Sequence, residues 1–166
     1  MTKSGVCKGS VKCRQSVGQL VGSLGVVLLA ATGAQAGAWE EFEARCLVPM
    51  ENVAAFDFSE MDVVPTEHEL TVRWRSAEGI DLIVPRDDQI KQCGVESKDL
   101  EAQVLSSKVK SFLAEGLKSG RYELSTISWL PGAYLSTTWR ETRMAIFFKS
   151  YGPYSEVSVS ELNLES

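Results

Sequence analysis

Residues 97–120 read SKDLEAQVLSSKVKSFLAEGLKSG, and the apolar spacing in this stretch decides the fold class. Leu100, Val104, Leu105, Val109, Phe112, Leu113 and Leu117 recur at helical intervals, which predicts one apolar stripe on an α-helix over about 98–118. Ser97 stands where an N-cap is wanted, and Asp99 and Glu101 fall in the first turn. Lys118 falls in the last turn, and Gly120 lies just past the end, where a left-handed residue closes a helix. A helix that is apolar on one side needs a surface to cover that side.

The flanking segments supply it. Upstream, Leu70 to Arg75 alternates with Leu70, Val72 and Trp74 on one face, Ser76-Ala77-Glu78-Gly79 is a turn, and Ile80 to Val84 returns before Pro85. Ile90 to Val95 reads as a short third strand carrying Cys93. Downstream, the spacing predicts strands over Tyr122–Trp129, Ala133–Arg140, Met144–Tyr151 and Ser155–Ser160. Of these, Ala133–Arg140 and Met144–Tyr151 form the expected hairpin. A second, shorter helix is expected over about 38–48, with Trp39, Phe42 and Cys46 on one face and Pro49 ending it. Residues 50–68 read as a loop containing a single helical turn. The order of helix, strands, long helix, strands fits a single α+β domain with the long helix packed on an antiparallel sheet. Strand–helix alternation of the kind that builds a parallel sheet is missing.

Residues 1–36 read as an export signal. Lys3, Lys8, Lys12 and Arg14 precede an apolar stretch from about 17 to 31, and Ala34-Gln35-Ala36 follows as a small-x-small cleavage pattern. Cleavage is expected after Ala36, with Ala38 as the second choice; an uncleaved anchor is the alternative, since about 20 apolar residues suffice to span a membrane. Cleavage leaves an exported chain of residues 37–166, periplasmic or extracellular, with no stable membrane anchor. It also removes four of the 17 basic residues and none of the 22 acids, so the net charge falls from −5 to −9. That balance excludes a general nucleic-acid-binding role. The charge is concentrated in residues 37–70, where nine acids face one base, Arg45. Of the four cysteines, Cys46 and Cys93 remain, and in an oxidising compartment an isolated pair is expected to form a disulfide.

Catalytic motifs are sparse. His68 is the sole histidine and sits beside Glu67 and Glu69 before a strand; its H-E start lacks the second histidine of a zinc protease. Ser107-Lys108-Val109-Lys110 matches S-x-x-K without the companion motifs of the acyl-transfer enzymes, so Ser107 reads as a helix-surface serine. Asp57, Glu60 and Asp62 lack the spacing of a calcium loop. No cofactor and no metal is expected. Trp39, Trp74, Trp129 and Trp139 read first as core residues, with Trp129 and Leu130 in the turn Trp129-Leu130-Pro131-Gly132 as the foremost candidate contact loop.

Small periplasmic lysozyme inhibitors share this size, an acidic balance and a Ser-Gly-x-x-Tyr loop. Here Ser119-Gly120-Arg121-Tyr122 places the tyrosine one residue early, and Gly120 is already accounted for as a helix stop. Ser119 and Tyr122 therefore stand as candidate contact residues without assigning the chain to that family. The expected function is a non-catalytic exported module that binds a protein or small ligand, with a cationic partner suited to the acidic N-terminal quarter. The alternatives are an acidic inhibitor of a cationic envelope enzyme such as a lysozyme, and a small hydrolase using His68.

Overall fold

The computed structural model describes residues 37–66, 69–138 and 143–162; the expected signal segment, His68 and Trp139 lie outside them. The chain begins with one helical run made of α1 (Ala38–Phe42), a π-helical turn (Glu43–Leu47) and α2 (Val48–Glu51). Four strands follow: β1 (Asp62–Val64), β2 (Thr71–Arg75), β3 (Asp81–Pro85) and β4 (Gln92–Lys98). Then comes the long helix α3 (Asp99–Ser119), and four more strands: β5 (Tyr122–Leu124), β6 (Tyr134–Ser136), β7 (Arg143–Tyr151) and β8 (Tyr154–Leu162). The eight strands form one sheet in the order β1-β2-β3-β4-β8-β7-β6-β5. Every recorded pairing in it is antiparallel. The α+β class holds, with α3 on the sheet and the N-terminal helix tied to it by the disulfide Cys46–Cys93.

Register explains which face the helices cover. Cys93 lies opposite Val159 and Val95 opposite Val157, while Ile146 and Phe148 lie opposite the same two valines from the other side. Alternation puts all of these on one face. On that face they meet Leu105, Val109 and Leu113 of α3, and Trp39, Phe42, Cys46, Leu47 and Met50 of the N-terminal run. Each fully buried Leu, Val or Phe side chain stabilises by about 1.5–3 kcal/mol, more than an exposed ion pair. This cluster therefore holds the layers together.

Several details differ from the sequence reading. The N-terminal helix does not stop at Pro49 but runs to Glu51, because the π-turn places Pro49 in the first turn of α2, where no N–H is required of it. Glu51 then accepts hydrogen bonds from Tyr122 Oη and Arg121 Nη2, which clamps the end of this run to β5. Ser97 is not an N-cap. Strand β4 continues through it to Lys98, whose side chain makes no cap, and the corner is turned by Asp99 at φ +57° with its N–H on the carbonyl of Pro153. The buried row of α3 is Ala102, Leu105, Ser106, Val109, Leu113 and Gly116, so Leu100, Val104 and Leu117 are exposed. Residues 62–64 form an edge strand within the stretch read as a loop.

Tyr122–Trp129 yields only the three-residue β5, and Ala133–Arg140 only β6. Between them residues 125–133 fold over the helix-free face, where Leu130 and Ala133 join Leu135 and Ala145 in a second small cluster. The long hairpin is β7–β8, paired over nine positions around Gly152-Pro153, whereas β6 meets β7 at two. Gly120 closes α3 in the left-handed conformation at φ +74°, as its place in the sequence requires.

Gly116 is set by close approach. A Cβ there would stand 2.2 Å from Tyr122 Cδ2, inside a ring that is clamped and cannot swing away. Alanine at a helix interior normally gains about 1 kcal/mol over glycine, yet Gly116→Ala is expected to lower the urea unfolding midpoint, because α3 must lift from β5. A raised midpoint would show that the ring yields. The bridge closes a 47-residue separation between fully buried cysteines. Replacing both Cys46 and Cys93 by alanine should reduce unfolding free energy by about 2–4 kcal/mol, measured by urea titration; no change would mean that the packing around the bridge suffices alone.

Candidate ligand-binding groove

The layer between α3 and the sheet changes character along its length. Toward the C-terminal end of α3 it is apolar. Toward the N-terminal end the same strand positions carry serine. Ser97 of β4 lies opposite Ser155 of β8, and Ser155 lies opposite Ser150 of β7. Two residues separate Ser97 from Val95 and Ser155 from Val157, so alternation directs these hydroxyls to the helix-facing side, where aliphatic side chains would extend the core. Ser155 is buried and donates to Ser150 Oγ at 3.2 Å.

Above this row α3 presents Gln103, Ser106, Ser107 and Lys110, and with Ser150 and Ser155 they wall a groove of about 520 Å³. Its length follows from helix geometry: the 11-residue rise from Asp99 to Lys110 is about 16 Å. Asp99 with Gly152, Pro153 and Tyr154 forms one end, and Lys110 stands at the other with Nζ 6.0 Å from the centre of the Phe148 ring. Tyr154 is fixed by stacking with Tyr151 and by Lys98 Nζ, 5.6 Å from its ring centre. Tyr151 in turn donates to Glu96, which pushes its hydroxyl up to about 12.

Ser106 is the most telling member. It is 9% exposed, lines the groove, and its hydroxyl makes no hydrogen bond within the described residues. Its Oγ reaches solvent through the groove, so water or a ligand can take up that hydrogen bond. The groove thus carries hydrogen-bonding capacity that the fold itself does not consume.

The residues singled out from the sequence lie elsewhere. Ser119 Oγ donates to the carbonyl of Gly116, and Tyr122 is buried with its hydroxyl on Glu51; burial first, then the Glu51 carboxylate, raise the Tyr122 pKa well above the ordinary phenol range. Trp129 is 62% exposed while Leu130 is buried beneath its own loop on the opposite face of the sheet. Trp39 is buried against Phe42 and Phe112, and Trp74 stacks on Phe58, so the described tryptophans do not converge. The acidic N-terminal quarter is partly neutralised from within: Glu41 and Glu60 pair with Arg45, Glu40 with Lys108, and Glu51 with Arg121.

Sequence reasoning passed over the groove, although one signal was present. Ser155 shares the alternation of Val157 and Val159, so a serine was due on the buried face. Ser107 is exposed, as its reading as a surface serine implies, but the surface it sits on is a wall of this groove. Smaller concavities among the described residues include an apolar one of about 390 Å³ beside Trp39, Leu100 and Val104, and one of about 290 Å³ on the helix-free face near Gln92 and Ser158. No protein-family model matches the chain, and none of the curated proteins or solved structures compared with it matches either.

Removing the unpartnered hydroxyl should leave the fold unharmed. Ser106→Ala is expected to be neutral or to stabilise by about 0.5 kcal/mol in urea unfolding, through better helix propensity. A loss above that size would mean that Ser106 supports the fold rather than facing a ligand.

Proposed function

We propose that this protein is an exported, non-catalytic binding module that holds a small polar ligand in the groove between α3 and the β7–β8 hairpin. The observation that carries this reading is the serine-walled groove, onto which Ser106 opens a hydroxyl that has no protein partner among the described residues. The groove is preferred over the acidic quarter as the binding surface because much of that quarter's charge is spent on internal ion pairs.

Export is part of the proposal. The basic, apolar and small-residue regions of 1–36 stand in the order an export signal needs, and the Cys46–Cys93 bridge suits an oxidising compartment. Ala38 is buried in the main core, so a cut after Ala38 would remove a packed residue, whereas a cut after Ala36 leaves the core whole. Intact-mass measurement on protein recovered from the cell envelope should give a chain beginning at Gly37. A chain retaining residues 1–36 would contradict the cleavage proposal.

The groove is tested with Ser106→Phe, which fills it from a position at its wall. Small polar compounds that bind the protein in ligand-observed NMR should lose binding to this variant, with urea unfolding run beside it to establish that the variant folds. Compounds that bind the folded variant unchanged would place the binding surface elsewhere.

A further inference from the structure

We infer that the groove takes a neutral saccharide, an assignment that rests on the groove being the binding site. The lining is mixed in the way such a ligand is mixed. Serine hydroxyls at 106, 107, 150 and 155 both donate and accept, as sugar hydroxyls do. Gln103 adds an amide that offers both senses of hydrogen bond, and Asp99 adds a carboxylate that accepts two. Leu100, Ala102 and Pro153 supply apolar contact for C–H surfaces between those hydroxyls.

Charge decides against an anion. Lys110 is the single base on the groove wall, and Asp99 at the far end offsets it. The chain from Gly37 onward is strongly acidic, so its field opposes the approach of phosphates and carboxylates. A cation meets the same difficulty in reverse, since Asp99 is the one acid and Lys110 stands along the same wall. A neutral ligand with many hydroxyls satisfies the hydroxyl of Ser106 without leaving either end charge unbalanced. The length of the groove along three turns of α3 suits a short chain of sugar rings rather than one.

The test is a titration of the isotope-labelled protein followed by amide NMR, using cellotriose, maltotriose, chitotriose, citrate, inorganic phosphate and trialanine as separate probes. At least one neutral trisaccharide is expected to shift the amides of Ser106, Ser107, Ser150 and Ser155, with little dependence on salt. Gln103→Ala should weaken that binding about fivefold and Lys110→Gln less than about twofold, in keeping with one lost neutral hydrogen bond against an idle charge. If citrate or phosphate alone moves those amides, and Lys110→Gln abolishes the effect, the saccharide assignment is overturned while the groove stands. If trialanine alone moves them, the ligand is a peptide and the assignment also fails. If no trisaccharide moves them, the assignment is wrong.

Discussion

The contact between α3 and the central strands β4, β8 and β7 is what the remaining structure depends on. Leu105, Val109 and Leu113 seat against Val95, Val157, Val159 and Ile146, and none of these positions admits water. The N-terminal run packs on the same face and is held there by Cys46–Cys93 and by the Glu51 clamp on Tyr122. Close packing at one end of the layer fixes the separation of helix and sheet at the other. There the side chains shorten to serine, and the space left between the two layers is the groove. The cavity follows from a rigid apolar contact continued by residues too small to fill the gap.

On the proposed reading, this arrangement gives up stability for binding. Valine in place of Ser155 would suit a buried strand position, and a partnered or apolar side chain would suit Ser106. The ends of the groove are differently charged and its floor is neutral, which favours a ligand recognised by hydrogen bonds over one held by a net field.

Much of this was legible in the sequence, and what was not has specific causes. The α3 helix, the left-handed Gly120 and the turn at Gly79 rest on local rules, and the Cys46–Cys93 pair on cysteine count; each is found in place. The apolar spacing overstates the buried stripe because Leu100 and Val104 satisfy it yet are exposed, beside an apolar hollow near Trp39. Pro49 reads as a stop in the sequence because a π-turn leaves no signature in composition. The extents of β1, β5 and β6 are not legible in the sequence because pairing partners, not propensity, set their length. The groove itself is hidden in the sequence because its serines come from 106–107, 150 and 155, and only the pairing of β7 with β8 and the packing of α3 on them bring these to one place.

The most direct measurement is made on the double variant Ser150→Val/Ser155→Val, which continues the apolar layer into the groove. Its urea unfolding midpoint and its response to the neutral trisaccharides would be determined together. The expected result is a higher midpoint with trisaccharide binding lost, because the serines serve the ligand and not the fold. A lower midpoint, or a variant that binds as well as the parent protein, would contradict the reading of this layer as a binding site.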